Sequence, residues 1–242
     1  NGGSNILGAG YFEKKYGPLP LGNPSAGIQN VKKADYIGKD LYSERLDLTK
    51  TFNKKFSSEF PQKRVRAYTD LYDDAIKLMQ SKDLEAFDLT KESQEMRDAY
   101  GDNNFGQGCL LARRLVENNV RFIEVVLGGW DMHNDVFGSL ETKGATLDQG
   151  LSMLLKDLDS RGLLSETMVV VASEFGRTPE VKPGRIGRDH HPSSFSALLA
   201  GGGIKSGFVH GKSDERAHYI EEGGVGMEDL NATIAFAMGL DT

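Results

Sequence analysis

The spacing of apolar positions changes character part-way along the chain. Between residues 43 and 100, apolar side chains such as Tyr68, Leu71 and Tyr72 recur three and four positions apart. That period places them on one face of a helix, so the pattern predicts two or three amphipathic helices in this region. Residues 1–40 are rich in Gly, Pro and Asn, which predicts an extended segment that wraps the surface.

Three apolar runs after residue 100 have the composition of β-strands. They lie at 120–127, 168–172 and 195–199. The second run is short and unbroken, as in parallel strands that are covered on both faces. Helices are expected between and around these runs, at about 106–117, 147–158 and 228–238.

The order of these elements predicts the fold class. A strand, a helix and a strand in succession imply a right-handed βαβ unit. We therefore expect an α/β fold in which a doubly wound, mostly parallel sheet lies between helices. Residues 1–100 would wrap a core formed by residues 101–242, and the whole chain, 1–242, would be a single domain.

The composition limits the classes of partner and ligand that the protein is expected to bind. With 38% apolar residues and 26% charged residues, the 242-residue chain suits a globular protein with a sizeable core. A net charge of −6 leaves no basic excess for nucleic acid. No apolar run approaches the roughly 18 residues that cross a bilayer, so no transmembrane segment is expected. Because Cys109 is the only cysteine, a metal would have to use histidine and carboxylate ligands.

Three polar segments are candidates for a ligand site: residues 128–133 after the first predicted strand, residues 173–179 after the second, and residues 187–192 further along the chain. Open α/β sheets bind ligands beyond the carboxyl ends of their strands. The three segments contain three of the five histidines in the chain, together with carboxylates and arginines. In chain order, the candidate site residues are Asp131, His133, Glu174, Arg177, Arg188, Asp189, His190 and His191.

Imidazole nitrogen and carboxylate oxygen form the ligand set expected of Zn²⁺ and related divalent ions. Asp131 and His133 stand in a loop that begins with two glycines, and they can converge on one point if that loop curls. The run 189–191 places one carboxylate and two imidazoles together, beside arginines that would suit an anionic substrate. In both places the alternative is a solvated polar loop.

The residues after the second strand also allow two interpretations. Glu174 would stand at the edge of the sheet as a metal ligand, an acid or base group, or an ion-pair partner. Arg177 would either form a salt bridge with Glu174 or hold an oxyanion with its planar guanidinium, and both roles are compatible.

The chain resembles a family of exported bacterial proteins of unassigned activity, domain of unknown function 1501, which belongs with the alkaline phosphatases and sulfatases. The resemblance covers most of the chain from about Leu7. It is carried by the segments Tyr100-Gly101, Phe105 to Arg114, Gly129-Trp130-Asp131-x-His133, Glu174 to Pro179, Gly187 to His190 and Leu199 to Lys205.

The resemblance implies a central mixed sheet with metal ligands on the loops at its carboxyl edge, an exported or periplasmic location, and hydrolysis of phosphate or sulfate esters. Asp131 and His133 would be ligands, and His190 or His191 the late histidine ligand. Phe175 stands where phosphatases and sulfatases have a histidine. Their nucleophile would lie before Asn1, and a chain that begins without Met is expected to be processed or truncated.

Two functional hypotheses follow. The first is a metal-dependent hydrolase of a small anionic ester, with ligands from Asp131, His133, Glu174 and the 189–191 run. Zinc is the first choice of metal, and calcium, manganese and magnesium are alternatives. The second is a catalytically degenerate relative that acts as an extracytoplasmic binding or structural protein, which the phenylalanine at position 175 favours. The oligomeric state is left open.

Overall fold

The computed structural model describes residues 9–13 and 16–241, apart from the side chain of Arg64. The chain start and residues 14 and 15, part of the predicted extended segment, lie outside the described residues. The chain divides into two compact units, residues 1–91 and residues 92–242. The interpretation of the whole chain as one domain stays a prediction.

Two long helices dominate the first unit. Helix α1 (Lys39–Glu59) and helix α2 (Lys63–Gln80) are joined by a three-residue connection that contains Pro61. Asp40 in the first turn of α1 and Lys77 in the last turn of α2 complement the helix dipoles. The two helices touch where the Tyr42 hydroxyl lies 3.7 Å from Met79 Sδ. Short 3₁₀ turns complete the unit at Pro24–Ala26, Lys82–Phe87 and Leu89–Lys91.

Three helices form the core of the second unit. They are α3 (Gln94–Tyr100), α4 (Asn104–Glu117) and α5 (Val136–Ser160). The Ser93 hydroxyl accepts a hydrogen bond from Met96 N, and the Asn103 side chain accepts one from Gly106 N, so both residues act as N-caps. Apolar side chains of all three helices meet in the interior, including the fully buried Tyr100, Leu110 and Leu158.

A buried ion cluster, centred on Arg113, ties these helices together. The Arg113 guanidinium lies 2.7 Å from Glu92 Oε2 and 2.8 Å from Glu117 Oε2. Its Nε lies 2.8 Å from Asp157 Oδ2 without a well-directed hydrogen bond. Asp157 also accepts hydrogen bonds from the Tyr100 hydroxyl and from Arg161 Nε. Only 2% of the Arg113 side chain is exposed, so the carboxylates compensate for its loss of hydration.

The strands of the second unit are short. They are β1 (Met168–Val171), β2 (Gly176–Arg177), β3 (His190–His191), β4 (Leu198–Gly201), β5 (Lys212–Ser213) and β6 (Ile220–Glu222), and helix α6 (Met227–Ala237) follows. They pair as three separate two-stranded antiparallel sheets, β1 with β4, β2 with β3 and β5 with β6. In the longest pair, Met168 lies opposite Gly201 and Val171 opposite Leu198.

The predicted doubly wound parallel sheet is therefore wrong. About 48% of the chain is helical, and the strands seen in the described residues pair only antiparallel. The run 168–172 does contain a strand, but its partner β4 runs in the opposite direction. An unbroken apolar run reports that a strand is covered, while the direction of its neighbour depends on contacts distant in sequence.

The second cause of the error is the run at 120–127, to which the structure assigns no strand. Its side chains alternate in exposure as a strand's would. Phe122 and Val126 are 70% and 73% exposed, whereas Ile123, Val125 and Leu127 are half-buried. The predicted strand at 120–127 is therefore wrong, because β-propensity and alternating apolar positions do not supply the neighbouring strand that makes a sheet.

The predicted helices at 106–117, 147–158 and 228–238 are confirmed as α4, as part of the longer α5 and as α6. Within residues 43–100, α1, α2 and α3 confirm the predicted amphipathic helices. Among the described residues, no helix is long and apolar enough to cross a membrane.

Candidate metal centre

Backbone hydrogen bonds join two of the polar segments. The loop that contains Asp131 and His133 lies against residues 185–188: Arg188 N donates to Met132 O over 3.2 Å, and Val136 N donates to Ile186 O over 2.8 Å. The close approach requires glycine at position 187, because a Cβ there would stand 1.9 Å from His133 O. The first and third polar segments are therefore fixed side by side.

The short β2–β3 pair adds the second polar segment. In its register Arg177 lies directly opposite His190, and Gly176 lies opposite His191. Directly opposite residues in an antiparallel pair place their side chains on the same face, so Arg177 and His190 are neighbours. The pairing continues beyond the strands, because Thr178 N donates to Asp189 O over 2.9 Å.

Asp131, His133 and His190 bring their ligand atoms together at this junction. Asp131 Oδ1 lies 2.9 Å from His133 Nε2 and 3.0 Å from His190 Nε2, and the two Nε2 atoms are 3.2 Å apart. Each of the three residues can offer one atom to a common point. Asp131 and His190 are exposed and His133 is half-buried, so the cluster, which we call the ligand triad, opens to solvent.

The donor set fits a divalent cation. Two imidazole nitrogens and one carboxylate oxygen suit zinc, whose bonds of about 2.0–2.1 Å place tetrahedral ligand atoms about 3.3 Å apart. The separations of 2.9 to 3.2 Å in the ligand triad are slightly smaller. An octahedral ion with bonds of about 2.1 Å needs ligand atoms about 3.0 Å apart, so magnesium also matches the spacing. The spacing therefore accommodates either ion, and the two imidazoles favour zinc.

Arg177 makes the shortest contact with the carboxylate of the ligand triad. Its Nη1 lies 2.6 Å from Asp131 Oδ1, and its Nη2 lies 3.4 Å from Glu174 Oε1. The hydrogen bond with His190 and then the one with Arg177 lower the pKa of the Asp131 carboxyl group from 3.8 to about 2. Asp131 is therefore a carboxylate under any ordinary condition, as a metal ligand must be.

Asp189 contacts the triad through the ring nitrogen of His133 that faces away from Asp131. Its Oδ1 lies 3.3 Å from His133 Nδ1, on the side of the ring opposite to the Nε2 that faces Asp131. A carboxylate on one imidazole nitrogen orients the ring and directs the other nitrogen to a metal. Lys182 forms an ion pair with Asp189 and, more than His133, lowers the pKa of the Asp189 carboxyl group.

The other predicted site residues lie outside the ligand triad. His191 Nε2 pairs with the backbone oxygen of His218, at 2.8 Å, and points away from its neighbour His190. Glu174 contacts Arg177 and is 58% exposed. Arg188 supports the site through its backbone nitrogen. The structure thus unites Asp131, His133, Arg177, Asp189 and His190.

Phe175 and Lys182 contribute to the site in ways that the sequence did not reveal. The Phe175 ring packs 4.7 Å from the His190 ring, and the Arg177 guanidinium carbon lies 5.7 Å from the Phe175 centroid. Phe175 therefore supports both residues. For Lys182 the only signal was its position in the same loop as the third polar segment, since a pairing with Asp189 cannot be read from spacing.

A comparison with protein-family profiles gives a match that includes the segments of this site. A family profile described as protein of unknown function, DUF1501, matches residues 1–242. The chain belongs to the DUF1501 family. No curated protein and no solved structure matches it. In this DUF1501 protein, the segments around Asp131, Arg177 and His190 are far apart in sequence, and the fold joins them in one exposed centre.

Proposed function

We propose that this DUF1501 protein binds one divalent metal ion through Asp131, His133 and His190 and hydrolyses small anionic esters of phosphate or sulfate. The observation that carries the proposal is the convergence of three ligand atoms within 4.8 Å of one another. His190 reaches this point although it lies 57 residues after His133 and 59 after Asp131. Carboxylates at a surface are common, but two imidazole nitrogens and a carboxylate oxygen that lie this close together form a ligand set that zinc binds.

Three protein ligands favour catalysis over a purely structural metal. Structural zinc sites have four protein ligands, whereas catalytic sites keep a position for water or substrate. A metal at the triad would polarise an ester oxygen and lower the pKa of a bound water molecule. Zinc is the first choice for two imidazoles and a carboxylate, with manganese, magnesium and calcium as alternatives.

The residues beside the triad have roles in the same reaction. The planar guanidinium of Arg177 matches the oxygens of a phosphate or sulfate group and would hold the substrate. Glu174, exposed and 3.4 Å from Arg177, is placed to accept a proton from water or to donate one to a leaving group. Arg188 comes from the adjoining loop and would add positive charge at the rim.

Support for the ester class comes from chemistry and from resemblance. Asp131 and His133 stand where the sequence resembles the metal ligands of phosphatases and sulfatases, and an exported location belongs to the same proposal. The net charge of −6 favours a small substrate over nucleic acid.

The second candidate function is a metal-binding protein without turnover. Phe175, whose ring packs on His190, supplies an apolar side chain where the phosphatases and sulfatases that the sequence resembles have a histidine. A site with one metal and no second ion would then bind an anionic ligand without cleaving it.

The experiment is a joint measurement of metal content and hydrolysis. The chain is purified without added metal, loaded in separate samples with Zn²⁺, Mn²⁺, Mg²⁺ or Ca²⁺, dialysed, and assayed with an aryl phosphate and an aryl sulfate. His133→Ala removes a ligand, whereas His191→Ala changes a histidine that pairs with the backbone outside the triad and serves as the matched control.

We expect about one zinc per chain and hydrolysis in the wild type and in His191→Ala, with both lost in His133→Ala. Zinc binding without hydrolysis of either ester would favour the second candidate. No zinc, manganese, magnesium or calcium bound to the wild type would reject the metal centre and with it both functions.

A further inference from the structure

We infer that Arg177 and the divalent metal compete for Asp131 Oδ1, so that metal binding releases the Arg177 guanidinium to hold the anionic group of the substrate. The inference rests on the metal site of the proposed function. It goes beyond that function because it assigns Arg177 two successive partners and predicts that metal and anion promote each other's binding.

The first observation is crowding around one oxygen. Asp131 Oδ1 has three nitrogen neighbours, Arg177 Nη1 at 2.6 Å, His133 Nε2 at 2.9 Å and His190 Nε2 at 3.0 Å. A carboxylate has about four lone-pair sites over its two oxygens, so one oxygen offers about two. The shortest of the three contacts belongs to Arg177. A metal ion bound to Oδ1 would occupy the lone pair that accepts from Arg177 or would neutralise the negative charge that attracts the guanidinium.

The second observation is that Arg177 has other contacts which do not involve Asp131. Its guanidinium lies over the Phe175 ring, and its Nη2 lies 3.4 Å from Glu174 Oε1. The side chain is 19% exposed, so it is held in place and is still open to solvent on one side. After losing Asp131, the guanidinium would remain beside the triad with its donors available.

The charges of Asp131 and Arg177 explain why metal binding should promote anion binding. Without a metal, the negative charge of Asp131 is neutralised by Arg177, and neither group needs another ligand. With a divalent cation on Asp131, the guanidinium loses its closer counter-ion, keeps only the 3.4 Å contact with the exposed Glu174, and is repelled by the new charge. A tetrahedral oxyanion, with two oxygens that accept from the guanidinium fork, satisfies both cations at once.

Among the nearby cations, this role falls to Arg177 rather than to Lys182. The Lys182 ammonium group forms an ion pair with Asp189, and Asp189 in turn contacts His133 on its outer nitrogen. That pair lies behind the triad and competes with no triad atom. Metal binding would leave it intact, so Lys182 keeps its carboxylate while Arg177 loses one.

A coupled site has a measurable signature, because coupling between two ligands is reciprocal. Removing the Arg177 guanidinium should strengthen metal binding, since the metal no longer displaces it. The same change should weaken the binding of an anion to the metal-loaded protein. A residue that merely stabilised the loop would weaken both.

The test measures binding of Zn²⁺ and of inorganic sulfate to the whole chain by isothermal titration calorimetry. The variants are Arg177→Gln, Arg177→Lys and, as a matched control, Arg185→Gln, which removes the same charge from the adjoining exposed loop. Asp131→Ala serves as the variant without a metal site. Far-UV circular dichroism verifies that each variant is folded.

We expect Zn²⁺ to bind Arg177→Gln about tenfold more tightly than the wild type, in the usual range of such coupling. Arg185→Gln should stay within about twofold, and Arg177→Lys should lie between, because lysine keeps the charge without the fork. Sulfate should bind the wild type at least about fivefold more tightly when zinc is present. Most of that gain should vanish in Arg177→Gln and persist in Arg185→Gln.

Equal zinc affinity in the wild type and in Arg177→Gln would overturn the competition, even though the metal centre would stand. Weaker zinc binding in Arg177→Gln would overturn it as well and would make Arg177 a support of the loop. Zinc binding to neither protein would reject the metal centre itself, and the competition would fall with it.

Discussion

The second unit contains two charge clusters that are built in opposite ways. Around Arg113, one buried cation is surrounded by the carboxylates Glu92, Glu117 and Asp157. Around Asp131, one open carboxylate is surrounded by nitrogens of Arg177, His133 and His190. Arg113 is 2% exposed, whereas 31% of the Asp131 side chain is exposed.

The difference is the one expected between a structural cluster and the metal centre that we propose. Every partner of Arg113 comes from the helical core or the segment that precedes it, where several pairings offset the cost of burying charge. The partners of Asp131 come from loops and two-residue strands at the surface, and two of them are imidazoles that can bind a metal instead. Burial and partner type, taken together, distinguish the two clusters better than the number of charges does.

The largest expected effect comes from breaking the buried cluster. Arg113→Ala removes the central cation and, among the described ion pairs, leaves Glu92 paired only with Arg114 and Asp157 only with Arg161, so the free energy of unfolding should fall by about 3 kcal/mol. Urea unfolding followed by circular dichroism measures the change. Arg161→Ala removes a partly exposed arginine of the same cluster and should cost about 1 kcal/mol or less. Equal losses in the two variants would contradict the structural role given to Arg113.

A smaller effect is expected at the open cluster, on metal affinity. Asp189→Ala removes the carboxylate that orients His133 through Nδ1, and loss of such a partner typically weakens metal binding by about 10–100-fold. Zinc titration measures it. Asp189→Asn keeps an oxygen that accepts from the ring and should lose less. If Asp189→Ala bound zinc like the wild type, the orientation of His133 would not depend on this contact.

The smallest effect is the pH dependence of stability that Asp131 contributes in the metal-free protein. Its pKa is lowered from 3.8 to about 2, so the folded state favours the carboxylate. This stabilisation is complete above about pH 4 and disappears as the pH falls toward about 2. Comparing urea unfolding of the wild type and Asp131→Asn across that interval measures it. The gap between the two proteins should close as the pH falls, and a constant gap would exclude the effect.

Much of the helical structure could be predicted from the sequence, because amphipathic periodicity and caps are local. The helix predicted at about 106–117 is α4, which the structure extends to Asn104–Glu117 with Asn103 as its N-cap. The sheet could not be predicted in the same way. The pairing of Met168 with Gly201 joins residues far apart, and nothing in an apolar run specifies the direction of its partner.

The candidate site was partly predictable for a related reason. The residue types of Asp131, His133 and His190 indicated metal chemistry, and the structure brings these three together. Sequence could not choose between His190 and His191, because neighbouring residues in a strand point to opposite faces. Only the pairing of Arg177 with His190 shows which histidine faces the triad.

The separation of Asp131 and His190 along the chain has a further consequence for the folding of the protein. A metal held by both residues would close a loop of 59 residues and would act as a reversible cross-link. Unlike a disulfide, such a link is released on unfolding, and it stabilises the protein because the ion binds the assembled native ligands in preference to the unfolded chain. The ion would therefore also stabilise the β2–β3 pair, which places His190 beside Arg177 and has few hydrogen bonds of its own.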